Sequence, residues 1–148
     1  MFRKNGFTLI ELLVAISIVA VLSVIGMTIY QGVQAKARDS IRKRDLNNLA
    51  IALEIYAQQN GKYITTTGGI ITCPAPTDTT SSFYTRITPN MSDGVPPQDP
   101  KNKTLYCYLS PIDGSTYTLC ANLENTQDPD YVISGCGDSN YHYVLTPR

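Results

Sequence analysis

Between Asn5 and Ala35 the chain has no basic residue, and its only charge of either sign is Glu11. No proline occurs from Phe7 through Asn60, so nothing in that stretch forces a helix to break. None of the cysteines forms a C-x-x-C pair, which removes the usual spacing of a structural zinc site. There is one histidine, His142, between two tyrosines in a strand-like run, and no glycine-rich loop of the kind that cradles phosphate. A cysteine–histidine nucleophile pair would need a free thiol, and all four cysteines are expected to be bridged. Catalysis is therefore not expected, and neither a cofactor nor a metal. Basic residues are also scarce late in the chain. From Gly61 onward five of them face eight acids, which argues against a broad nucleic-acid-binding surface.

What the chain does have is length in one apolar run. Phe7 to Tyr30 is apolar or weakly polar apart from Glu11, long enough to cross a bilayer. Arg3 and Lys4 precede it, placing that end in the cytoplasm. No small-residue cleavage site follows the run, so it reads as an anchor rather than a removable secretory signal. A carboxylate at membrane depth costs roughly 2.5–3.5 kcal/mol, and no cation follows Glu11 before Lys36. Either Glu11 snorkels to the interface, or it is protonated, or its partner comes from another molecule.

The helix continues beyond the run. Leu46, Leu49, Leu53 and Tyr56 recur at helical spacing, with Ala50 and Ala57 beside them, and predict a stripe facing a domain. Asn60-Gly61 ends the helix with a left-handed cap. The mixed charges from Lys36 to Asp45 read as a solvated, headgroup-proximal face, with an inter-subunit charge match as the alternative. Gly26 and Gly32 fit either soft hinges or close helix packing.

Gly6-Phe7-Thr8-Leu9-Ile10-Glu11, followed by Leu12-Leu13-Val14, resembles the processing site of type IV prepilins and pseudopilins. The resemblance implies a leader of residues 1–6, cleavage after Gly6 by a prepilin peptidase, and N-methylation of Phe7 by the same class of enzyme. It implies further that Glu11 of one subunit pairs with the Phe7 amine of its neighbour in a filament. Many pilins carry a proline late in this apolar segment; this chain does not. Gly61-Lys62-Tyr63 and Asp99-Pro100-Lys101-Asn102, with Tyr106 and Tyr108 after it, resemble parts of major pseudopilin-like heads. A calcium loop of the major pseudopilin kind is not recognisable. Asp128 and Asp130, with Glu124 and Asp138, have the oxygens for one but read as an acidic surface loop.

Residues 61–148 are expected to form the head. Thr65 to Arg86 and Asn90 to Lys103 read as loops, from their Thr, Ser, Gly and Pro content. Thr104 to Ser110 and Ser115 to Ala121 are strand-like, joined by Asp113-Gly114, a strong hairpin signal. Tyr131 to Ser134 and Tyr141 to Leu145 are further strand candidates. The hairpin register opposes Cys107 to Cys120, which predicts a Cys107–Cys120 disulfide and leaves Cys73–Cys136. The triplets Asn102-Lys103-Thr104 and Asn90-Met91-Ser92 fit a glycosylation acceptor but are short enough to arise by chance.

The expected fold is α+β: a long N-terminal helix, transmembrane over 7–30 and amphipathic over 31–60, packed on a small antiparallel sheet of three or four strands. The resemblance implies a structural subunit of a pilus-like filament. Its partners would be identical or related subunits, the peptidase, and an assembly platform in the bacterial inner membrane. It would begin as a single-pass precursor with its head outside the cytoplasm and end in a cell-surface or periplasmic filament. A pseudopilin of a secretion or DNA-uptake system is the nearest alternative. A membrane-anchored binding module that never polymerises is the alternative from another class.

Overall fold

The computed structural model describes residues 7–65, 82–136 and 140–147. A single helix, α1, spans Leu9–Asn60 without a break, as the missing proline predicts. Gly61, at φ +75°, caps its end, and the Gly61 amide donates to the Ala57 carbonyl at 2.8 Å. By its contacts the chain divides into Met1–Ala35 and Lys36–Arg148.

In the first unit the large apolar side chains of α1, from Leu9 to Val33, are exposed all round. One 18-residue window has a mean hydropathy of 2.7, and α1 is long and apolar enough to cross a membrane.

In the second unit, Leu46, Leu49, Leu53 and Tyr56 are all buried, so the predicted stripe is the helix's contribution to the core. Against it pack Ile64, Leu105, Tyr108, Tyr117 and Leu119, together with Phe83, Tyr84 and Ile87 of a second helix, α2, Ser82–Ile87. Helix α2 lies where the sequence reads as loop. Six residues are too few for helical periodicity to show, and tertiary burial of two rings and an isoleucine holds the turn. Phe83 stacks on Tyr108 with ring centroids 3.9 Å apart. The buried phenols are satisfied: Tyr84 donates to the Tyr106 carbonyl and Tyr108 to the Ile64 carbonyl, each at 2.6 Å.

The sheet has three antiparallel strands in the order β1 (Cys107–Leu109), β2 (Thr118–Ala121) and β3 (Tyr143–Leu145). Cys107 opposes Cys120 and Leu109 opposes Thr118, the register expected from Asp113-Gly114. The ladder stops short of the turn, however. Asp113 accepts from the Ser115 amide and hydroxyl, and the Gly114 amide donates to the Pro111 carbonyl. The tip also docks on the chain leaving α1. Tyr63 N–H donates to the Gly114 carbonyl, and a Cβ on Gly114 would lie 2.8 Å from the Tyr63 oxygen. Tyr131 to Ser134 is no strand, although the Val132 amide donates to the His142 carbonyl.

The disulfide expectation is corrected. Cys120 bonds to Cys136, with Cα atoms 6.2 Å apart. Neither Cys107–Cys120 nor Cys73–Cys136 is then available. Cys107 is disulfide-bonded as well, to neither of these two, and Cys73 lies outside the described residues. The register was right and the bond did not follow from it. Directly opposed strand residues at a non-hydrogen-bonded position sit about 4.5 Å apart, at the short end of disulfide geometry, whose mode is about 5.5–6 Å. Cys136 arrives from off the β1–β2 ladder. It is brought in by amide bonds from Val132 and Gly135 to the carbonyls of His142 and Tyr141, just before β3, and so is free of that constraint.

The bridge closes a loop with a sequence separation of 16. Cys136→Ser is expected to lower stability by about 3 kcal/mol. Cys120→Ser should lower it similarly, and the double variant by no more than either alone. Urea melts of the detergent-solubilised full chain under oxidising conditions measure this.

Candidate functional site: the helix head and the clamp at its second half

Two places on α1 gather the polar chemistry. At its start, Thr8 and Glu11 form a reciprocal cap. The Glu11 carboxylate accepts from the Thr8 amide at 2.9 Å and from the Thr8 hydroxyl at 2.8 Å, while the Glu11 amide donates back to Thr8 Oγ1 at 3.3 Å. Thr8 is the N-cap and Glu11 stands three residues later, the T-x-x-E pattern of a capping box. The helix N-terminus carries partial positive charge, which also favours the carboxylate there. Both accepted bonds use Oε2; among the described residues Oε1 accepts none. Glu11 thus has neutral partners inside its own chain, which its isolation from cations concealed. The signal was present in the sequence as Thr8-x-x-Glu11. Phe7 is exposed beside it, and Gly6 lies outside the described residues.

The second place corrects the solvated reading of Lys36 to Asp45 at Asp39, Arg42 and Asp45, which are buried. Arg42 is 1 % exposed. Its guanidinium forks onto Asp99, with Nε donating at 2.6 Å and Nη2 at 3.1 Å, and its Nη1 donates to Asp39 at 2.7 Å and Glu124 at 2.8 Å. Arg38 forks onto the same Glu124 at 2.8 and 2.7 Å, and Lys101 reaches it at 3.0 Å. Asp39 accepts from the amides of Glu124 and Asn125, and Asp99 from those of Lys101 and Asn102. Lys43 holds Asp128 and Asp130. Less than two turns of helix, Arg38 to Lys43, therefore anchor the loops at 99–102 and 124–130. Asp39, Arg42 and Asp45 are thus turned into the fold, while Lys36 and Arg44 stay exposed. The partners of Arg42 in the two loops lie 57 and 82 residues away in sequence, a separation that local charge patterning does not reach. The acidic loop of Glu124, Asp128 and Asp130 is likewise an ion-pair partner of the helix.

Electrostatics follow this geometry. Glu124 is held well below the usual carboxylate range, first by the Arg38 fork and also by Lys101 and Arg42. For Asp99, burial pushes upward, but the Arg42 hydrogen bonds and the amides of Asn102 and Lys101 outweigh it and the net direction is down. Asp128 is lowered by Lys43. Asp45 moves the other way: burial raises it, only partly offset by the Tyr106 hydroxyl that donates to it at 2.9 Å.

Comparison with known proteins agrees with the helix head. Residues 1–27 match the family model described as the prokaryotic N-terminal methylation motif. The N-terminal segment thus carries that motif. The chain is similar to the prepilin peptidase-dependent protein D of Escherichia coli (strain K12), 39 % identical over 79 residues, which is 53 % of this chain and 54 % of that protein. The matched region thus spans about half the length of that relative. No solved structure matches significantly. The motif read from Gly6, Phe7 and Glu11 is therefore matched by the family model, and the architecture is α+β, one long apolar helix with a three-stranded sheet.

The lowered carboxylates have folded pKa values below their unfolded ones. Their contribution to stability is full above about pH 4.5 and is lost as the pH falls through the folded values. Asp45 has the opposite sign, because protonation relieves its burial. The second unit should therefore lose net stability on acidification below about pH 4.5. Arg42→Met should cost about 3–5 kcal/mol at pH 7 by leaving Asp99 buried without its cation. That deficit should shrink toward pH 4 as the stranded Asp99 takes up a proton. Urea melts of the full chain in detergent at the two pH values check both signs.

Proposed function

We propose that this chain is a structural subunit of a type IV pilus-like filament, made as a precursor, cut after Gly6, N-methylated at Phe7 and polymerised through α1. The observation that carries this reading is the pairing of an apolar helix exposed on every side with a capped Glu11 at its head. So much uncovered apolar surface needs lipid or other copies of itself. The methylation motif over residues 1–27 supports the processing step, and the relative's name ties that protein to prepilin peptidase.

The cap suggests how Glu11 serves two environments. In the membrane, Thr8 and the helix end satisfy one carboxylate oxygen. The other remains for the amine that cleavage creates at Phe7 of an adjoining subunit. A carboxylate has about four acceptor sites, so the second partner need not displace the first. Pairing every charge along a filament permits one axial offset between helices. That makes Glu11 a register pin more than a source of net stability. The clamp around Arg42 supports the same reading, since the end of the helix that enters the head is held by bidentate bonds to two separate loops.

A pseudopilin role is the second reading. It is favoured by the Asp99-Pro100-Lys101-Asn102 entry, which resembles major pseudopilin-like heads and whose aspartate here anchors the clamp.

Gly6→Val should leave the precursor membrane-inserted but uncut, with residues 1–6 retained and no methyl group on Phe7, as intact-mass spectrometry of the purified chain reads. Export and function of the head in that variant would favour the non-polymerising module. Glu11→Ala should insert as well as the parent yet give few or no filaments by electron microscopy of sheared surface material, in cells lacking other major subunits. Filaments at parental abundance would remove the role of Glu11.

A further inference from the structure

The loop that Arg42 anchors through Asp99 carries a motif that the clamp does not use. Asn102-Lys103-Thr104 has the N-x-T pattern of an N-glycosylation acceptor, and neither Lys103 nor the following Leu105 is a proline that would block it. Asn90-Met91-Ser92 has the same pattern. A triplet arises readily by chance, so the two are separated by where the fold puts them.

A transferase must reach the asparagine carboxamide and turn it. Asn102 is exposed, between Lys101 and Lys103, which are exposed as well. Its loop is held by main-chain bonds. The Asp99 amide donates to the Thr104 carbonyl at 2.8 Å, and the Lys103 amide to the Asp99 carbonyl at 2.9 Å. Lys103, at φ +57°, closes the turn in the left-handed region. An asparagine in a tight turn often spends its side chain on a nearby amide. Here Asp99 takes that part, accepting from the Lys101 and Asn102 amides at 2.8 and 2.9 Å. The fold thus uses the backbone of Asn102 and Thr104. Among the described residues neither the Asn102 carboxamide nor the Thr104 hydroxyl makes a hydrogen bond.

Asn90 is placed differently. It ends the 3-10 turn Thr88–Asn90, is half-buried, and belongs to the wall of the cleft between α1 and the segment 89–97.

A second observation favours Asn102. It borders a cavity of about 260 Å³ whose lining includes Thr104, Asn122, Asn140 and Tyr141. Hydroxyls and carboxamides both donate and accept, as sugar hydroxyls require. None of the described lining residues is a cation, and the one carboxylate, Asp99, is committed to Arg42. The cavity therefore suits an uncharged polar group. It is smaller than the usual pocket for a free ligand, but a ring tethered at its edge is held there at high effective concentration.

We propose that Asn102 is an N-glycosylation site whose first sugar ring lies over this cavity. Nδ2 of Asn102 bonds to the anomeric carbon of an oligosaccharide carried on a lipid pyrophosphate. The bond from that carbon to the phosphate oxygen breaks, the lipid pyrophosphate leaves, and the amide gives up one proton. A membrane-bound oligosaccharyltransferase supplies the donor on the outer side of the membrane. The inference rests on the exported head of the filament reading and does not need polymerisation. The product is a bulky, hydrated surface group on the loop that the clamp holds.

The test uses the full chain, purified in detergent from the cells that make it. A portion kept unreduced reports the Cys120–Cys136 bridge, which forms in an oxidising compartment and so marks export of the head. The remainder is reduced and cut before aspartates, and the peptides are weighed. The peptide 99–112 should carry a mass increment made of sugar units, and the peptide 78–92 should carry none. Asn102→Gln and Thr104→Val should each remove the increment while the bridge still forms. A bridged chain whose 99–112 peptide is bare overturns the site and leaves the filament reading standing. Sugar on 78–92 alone, or sugar that persists on 99–112 in Thr104→Val, also overturns it. A chain recovered without the bridge overturns the exported head and this inference with it.

Discussion

The head of this protein depends on one desolvated cation. Arg42 brings to the surface of α1 a guanidinium that cannot lose its charge, and the fold surrounds it with Asp39, Asp99 and Glu124. A buried ion pair adds little net stability over well-packed apolar residues. What it contributes is geometry. The fork of Arg42 onto Asp99 and the fork of Arg38 onto Glu124 each admit one orientation, so two loops distant in sequence are set on the helix at defined angles. The same carboxylates accept backbone amides of their own loops, so the clamp shapes the loops as well as holding them. Lys43 adds a further anchor in the same region, on Asp128 and Asp130.

The other constraint is solvent. The apolar half of α1 is covered by nothing in its own chain. Moving it from lipid to a bundle of like helices exchanges one apolar environment for another, so little hydrophobic free energy separates the two. Small polar terms at the helix head then carry weight. The capping box satisfies Oε2 of Glu11 within its own chain, and among the described residues Oε1 accepts no bond.

Much of the fold could be read directly. The proline-free run, the Leu46–Leu49–Leu53–Tyr56 stripe, the Gly61 cap and the Cys107–Cys120 register all follow from local rules: ring sterics, helical period, left-handed conformation and turn geometry. The Thr8–Glu11 cap is equally local, since the T-x-x-E pattern alone carries it. Helix α2 was hidden for a different reason. Its six residues sit in a Thr- and Ser-rich context, and only the core beneath Phe83, Tyr84 and Ile87 makes them helical.

The sequence by itself determined the length and character of α1, which of its faces is apolar, and the processing motif at its head, because each depends on residues within a few turns of one another. Only the tertiary structure decided the partner of Cys120 and the fate of the charges from Lys36 to Asp45. A disulfide needs a particular Cα separation, and an opposed pair in a ladder does not reach its preferred value; a cysteine arriving from off the ladder at 6.2 Å does. A charged helix face looks the same in sequence whether water or Asp99 and Glu124 will meet it. Coulomb attraction selects among groups by distance in space, and that distance exists only once the head has closed on the helix.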